Sequence, residues 1–192
     1  MDYLNGQRFM KIIGEKIMDD YRTIEGVTAL FKSVDGISAQ NNIFLAFKNT
    51  NRDAMKAGIA GGLAGGMAAA GLTAVILNTK KAAQNVLEGK FAALLINQTE
   101  SGLGIIPMHQ KGLQLTLNAD KLEPEPENNI FIPYEAIGSI KIKNFNIFNK
   151  KVQKVNIAVD KYKLYLTARI SEKSIPYQEQ NFTKFMDQYK TQ

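Results

Sequence analysis

No cysteine occurs among the 192 residues, which excludes disulfides, thiolate metal sites and thiol nucleophiles. A single histidine, His109, has no second histidine or cysteine to work with, so a zinc site or a histidine-based triad is poorly supported. A solvated ring at a turn or strand end is the expected state of His109. No G-x-x-x-x-G-K-[ST] phosphate loop is present. Glu123, Glu125 and Glu127 are interleaved with Pro124 and Pro126 and lack the calcium-loop pattern, so they read as a solvated loop. The expectation is a chain with no catalytic residue, no metal and no cofactor, and therefore not an enzyme. Asp2, Arg8, Lys11, Glu15 and Lys16 interrupt the first twenty residues, so no continuous signal-peptide core is expected there.

Ala57 to Leu77, AGIAGGLAGGMAAAGLTAVIL, lies within the longest stretch lacking charge, which is fenced by Lys56 on one side and by Lys80 and Lys81 on the other. Its 21 residues match the ~20 that a helix needs to cross a bilayer core, although six are Gly and seven Ala. Gly58, Gly62, Gly66, Ala70 and Ala74 recur every fourth residue, beside a parallel row of Gly61, Gly65, Ala69 and Thr73. Residues four apart stack on one helix face. The two rows would form a groove that lets a second helix approach closely, as small-residue patterns do in lipid. In water each of these glycines weakens a helix by about 1 kcal/mol relative to Ala, so the segment needs a packing partner. It is expected to be a self-associating spanning or re-entrant membrane segment, or else a helix of a soluble protein packed internally or at an oligomer interface, or broken at Gly61-Gly62 and Gly65-Gly66. Lys48, Arg52 and Lys56 precede it and Lys80, Lys81 and Lys90 follow, so basic residues set no orientation. One straight crossing would place the flanking regions on opposite sides of the bilayer, where they could not share a sheet.

The charge of +6 suits a protein lying near an anionic surface, though solubility alone would explain it. Three segments are expected: residues 1–50, residues 51–87 with the Gly/Ala helix, and residues 88–192. Leu4, Phe9, Ile12, Ile13, Ile17 and Met18 give the first segment an amphipathic helix. Ile24 to Phe31 and Ile43 to Phe47 read as two strands around a turn at Asp35-Gly36, either a hairpin with a loose loop or two strands of a larger sheet. From Lys90 onward the texture is β. Strands are expected at 90–97, 103–108, 113–117, 130–132, around Ile140 and Ile142, at 155–159 and at 162–166, with a tight turn at Asp160-Lys161. Phe182, Phe185, Met186 and Tyr189 then mark the apolar face of a closing helix.

Residues 88 to 190 resemble a bacterial pleckstrin-homology-like domain of the PH/GRAM superfold. The resemblance is carried by FAALLINQTESGLGIIP, by IFIPYEAIGSIKIK with its Ile132-Pro133-Tyr134 and Ile137 core, by the strands VNIAV and KLYLTA, and by the closing helix. It implies an α+β fold, mainly antiparallel, with a seven-stranded bent barrel capped by a C-terminal helix. It also implies a role in binding or assembly without catalysis. In inositide-binding members the loop between the first two strands is basic. Taken as Asn97 to Gly102, that loop has no basic residue here and adds Glu100, so inositide recognition is not carried over.

One surface stands out. Lys141, Lys143, Lys150, Lys151 and Lys154, with Phe145 and Phe148 among them, form a run with no acid, suited to an anionic membrane. The alternatives are a solvated strand face with one phenylalanine turned into the core, or single-stranded nucleic acid, which is the less expected partner. The resulting expectation is a membrane-associated binding or scaffold protein whose PH-like domain faces the cytoplasm and whose Gly/Ala helix forms homo-oligomers. The alternative is a soluble module for a peptide or protein partner.

Overall fold

A run of apolar residues with no polar alternation, such as Ile43-Phe44-Leu45-Ala46-Phe47, suits a strand covered on both faces, and this one forms the centre of the sheet. The computed structural model describes residues 20–32, 42–49, 80–111, 118–160 and 162–190. In chain order these form α1 (Ile24–Lys32), β1 (Asn42–Lys48), α2 (Lys80–Leu87), β2 (Ala93–Gln98), β3 (Gly102–Gln110), β4 (Leu122–Pro124), β5 (Ile130–Pro133), β6 (Ile137–Asn144), β7 (Val152–Val159), β8 (Tyr162–Arg169) and α3 (Gln178–Tyr189). Short 3-10 turns at Ala119–Lys121, Pro126–Asn128 and Tyr134–Ala136 link the middle strands. The fold is α+β with one antiparallel sheet in the order β4-β3-β2-β1-β8-β7-β6, and β5 also pairs with β3. The sheet has eight strands and is open, where a seven-stranded barrel was expected.

Two apolar cores lie on the two faces of β1 and β2. Phe44, Ala46, Leu94 and Ile96 face a core shared with Phe182, Phe185 and Met186 of α3 and with Ala83, Val86 and Leu87 of α2. The Phe44 ring lies 5.1 Å from Phe182 and 4.6 Å from Phe185, centroid to centroid. The apolar face read from the spacing of Phe182, Phe185 and Met186 is the face that α3 buries. Ile43, Leu45, Phe47 and Leu95 face the second core, which is covered by Val27, Leu30 and Phe31 of α1.

Residues 24–32 form this helix instead of the expected strand. The β-branched residues suggested a strand, but Val27, Leu30 and Phe31 also fall at helical spacing, and the tertiary contact selects that period. The Thr23 hydroxyl accepts a hydrogen bond from Gly26 N at 3.0 Å, and Glu25 lies in the positively polarised first turn. Gly26 is required by contact, because a Cβ there would lie 2.2 Å from the Asp20 carbonyl oxygen.

β1 therefore has no N-terminal hairpin partner among the described residues. It pairs with β2 from Asn42↔Gln98 to Phe47↔Ala93, and with β8 at Phe47↔Thr167 and Lys48↔Leu166. The 1–50 segment thus contributes a central strand to the sheet formed by the C-terminal segment. Asn97 to Gly102 joins the second and third strands of that sheet, so its lack of basic residues does not describe the connection between the first two.

The pairing also constrains residues 50–79. Asn49 N donates to Tyr165 O at 2.9 Å, and α2 places Ala83, Val86 and Leu87 in the core, so the chain leaves and rejoins the same sheet. A single straight crossing would separate its ends by the ~30 Å of hydrocarbon core. Two crossings need about 40 residues, and 30 are available between Asn49 and Lys80. The β1–β2 pair excludes the single crossing, which would part its two strands, and the length of residues 50–79 falls short of two. Among the described residues, no helix is long and apolar enough to cross a membrane. The expected N-terminal helix, the Gly/Ala helix at 57–77 and the strand at 113–117 lie outside the described residues.

Candidate functional site

The β6–β7 hairpin places the lysines. Antiparallel pairing sets Lys141 opposite Asn156 and Lys143 opposite Lys154, while Ile142 and Val155 between them point into the core. Lys141, Lys143 and Lys154 therefore share the outer face, with Phe145 next in the same row. The Lys154 ammonium lies 5.3 Å from the centre of the Phe145 ring, within cation–π range. Two like charges directly opposed across a ladder are unfavourable, so the Lys143–Lys154 pair favours an anion above it. Lys150 and Lys151 follow in the turn, both exposed. The structure brings all five lysines onto one hairpin, and no Asp or Glu occurs between Glu135 and Asp160.

The two phenylalanines differ. Phe145 is half-buried against the strand face, while Phe148 is 95% exposed at the tip beside Ile147, which is 84% exposed. Ile147 was not singled out by sequence reasoning. Its signal was an Ile-Phe pair set between Asn146 and Asn149, two turn-forming residues at a place where no core face is due. The turn is internally braced. Asn146 Oδ1 accepts from Phe148 N at 3.0 Å and Asn149 N at 2.6 Å, Asn149 Oδ1 accepts from Lys151 N at 3.2 Å, and Gln153 Nε2 donates to Lys150 O at 2.7 Å.

His109 is exposed at the end of β3, as expected, but is also paired, and the acidic run expected as a loop begins within β4. β3–β4 pairing puts His109 directly opposite Glu123. Its Nε2 lies 2.9 Å from a Glu123 oxygen, its Nδ1 lies 3.0 Å from Glu125, and Lys111 also pairs with Glu123. A cationic ring donates to both carboxylates and a neutral one to a single carboxylate. These residues fasten a short edge strand, and among the described residues no group of three or more acidic, histidine or cysteine side chains is placed to hold a metal.

An open groove of about 710 Å³ lies between the β2–β3 turn and the end of α3. Asn42 Nδ2 donates to Gln98 Oε1 at 3.1 Å, and Gln98 Nε2 donates to Gln188 Oε1 at 2.6 Å, forming an amide chain along it. Tyr134 donates to Thr99 O at 3.0 Å. Burial, aided by its hydrogen bond with Tyr134, pushes the Tyr189 phenol up to about 12. Lys184 and Glu100 stand on the rim. Nothing in the groove assembles a nucleophile with a base. The helix-packing positions Gly58, Gly62, Gly66, Ala70 and Ala74 lie outside the described residues.

No protein-family model, curated protein or solved structure matches this chain.

Proposed function

We propose that this chain is a non-catalytic, membrane-associated binding protein that meets an anionic bilayer through its β6–β7 hairpin. The observation that carries the reading is five lysines and an exposed apolar tip on one hairpin free of acidic residues. Each lysine near an anionic leaflet contributes about 1 kcal/mol, so the set supplies useful affinity without a specific pocket. The same reading takes the domain as pleckstrin-homology-like, supported by an antiparallel sheet whose last strand is followed by a packed C-terminal helix. It assigns the small-residue rows from Gly58 to Ala74 to self-association on the domain's own side of the membrane, where the cytoplasm is the expected compartment.

A soluble module for a peptide is the second reading, favoured by the amide-lined groove beside α3. Co-sedimentation with phosphatidylserine-containing vesicles separates the two. The triple variant Lys150→Glu, Lys151→Glu, Lys154→Glu should lose roughly a hundredfold or more in vesicle affinity, at about 1 kcal/mol per charge removed and more on reversal. Unaltered binding by that variant would discard the hairpin as the contact.

A further inference from the structure

A solvent-exposed pair of large apolar side chains at a hairpin tip orders the water around it at an entropic cost, with no offsetting burial within the monomer. Ile147 and Phe148 are, with Ile24, the large hydrophobic residues most exposed among the described ones, and they are adjacent. Their turn is held by four side-chain-to-backbone hydrogen bonds from Asn146, Asn149 and Gln153, so the pair projects from a preformed support. The flanks are basic on both strands, with Lys143 before the turn and Lys150, Lys151 and Lys154 after it. Apolar groups at the tip with cations on the flanking residues match the order of a bilayer surface, in which acyl chains lie beneath anionic headgroups.

We infer that the β6–β7 turn is an insertion wedge: Ile147 and Phe148 enter the acyl boundary of an anionic membrane while the lysines behind them engage lipid headgroups. This rests on the membrane reading above and adds to it a mode of contact. Charge complementarity selects the occupant. A protein groove that accepted the tip would need to be both apolar at its floor and acid-rimmed on two sides, whereas an anionic leaflet has that layering everywhere. Preorganisation matters because a braced turn loses little conformational freedom on insertion. The cost of desolvating the turn's backbone is limited by the same bonds, since Phe148 N, Asn149 N and Lys151 N already have acceptors.

The chain contains no tryptophan, so Phe148→Trp supplies a single reporter at an exposed site with no packing to disturb. Its emission and its pelleting are followed with full-length protein and vesicles of phosphatidylcholine alone or mixed with phosphatidylserine, with bromine on the acyl chains as a depth quencher. A blue shift and bromine quenching on the mixed vesicles support insertion. Ile147→Ser with Phe148→Ser should then weaken vesicle binding by about tenfold or more, given the burial energy of two large apolar side chains. Pelleting without shift or quenching would overturn insertion while leaving headgroup docking intact. Absence of pelleting would overturn both insertion and the membrane reading. An equal shift and equal affinity on pure phosphatidylcholine would overturn the part assigned to the lysines.

Discussion

Two tyrosines fix the N-terminal cover to the rest of the protein, and they do so through phenol groups that must stay protonated. The Tyr177 hydroxyl donates to the Tyr21 carbonyl oxygen, and the Tyr21 hydroxyl donates to the Ala119 carbonyl oxygen, linking α3's approach, α1's approach and the turn before β4. Burial pushes the Tyr21 phenol up to about 12 and the Tyr177 phenol further in the same direction. In the unfolded chain both ionise near 10.0. Above that pH the unfolded state has lost protons that the folded state retains, so stability falls as pH rises. Below pH 10.0 the contribution is complete, and it declines through about pH 12 as Tyr21 ionises in the folded protein. Within that window each phenol contributes a slope of about 1.4 kcal/mol per pH unit. Denaturant titrations across the window should show this slope in the native protein. The double variant Tyr21→Phe, Tyr177→Phe should have a flatter alkaline profile, at a cost near neutral pH of about 1 kcal/mol for each hydrogen bond lost. An unchanged alkaline slope in that variant would remove the tyrosines from this role.

At the scale of elements, α3 completes a ladder that the strands leave unfinished. β8 pairs with β1 only at Phe47 and Lys48 and then diverges. In the gap, the Gln178 side chain takes the place of a strand. Its Oε1 accepts from Leu45 N at 2.8 Å, and its Nε2 donates to Leu45 O at 3.0 Å and Arg169 O at 2.9 Å. Asn181 Nδ2 donates to Ile43 O at 3.0 Å one turn later. Gln178→Leu keeps the volume but leaves buried backbone groups unpaired, so it should destabilise by about 3 kcal/mol or more, measurable as a fall in the urea midpoint. A change below about 1 kcal/mol would mean that water substitutes for the amide. Periodicity displayed the apolar face of α3 and the alternation of β7 and β8, because those elements bury one face each. It did not display the polar clamp, since a glutamine at a helix start resembles any solvated residue until its partner strand is known. The same limit applied to α1, whose β-branched residues suit either period, and to His109, whose glutamate partners are identified only by the β3–β4 register. The lysines of the candidate site were legible as a run, while the exposed tip became definite only when the strand ends were located.

For the whole molecule, the governing fact is that a strand encoded before the Gly/Ala stretch sits at the middle of a sheet encoded after it. Phe47 lies opposite both Ala93 and Thr167, so the two portions of chain form one folding unit. The insert departs beside Tyr165, and the hairpin turn hangs beside Ile170, where Ile170 N donates to Lys151 O at 2.8 Å. Five residues of strand, about 16 Å, separate these points along β8, and β1 runs toward the start of β8 whereas β6 and its turn run toward its end. The contacts proposed for the hairpin and for the insert therefore start from separate points on the sheet, and weakening one need not abolish the other. The shared sheet also forbids the flanks of the insert from lying across a bilayer from one another. Because the chain is free of cysteine, Glu25→Cys and Glu100→Cys each create a single exposed thiol, one encoded on either side of residues 50–79. A membrane-impermeant maleimide applied to sealed vesicles should modify both variants from the same side and leave both unmodified from the other. Modification from opposite sides would require β1 to be absent from the sheet, and with it the central strand that Phe44 and Leu45 anchor to both cores.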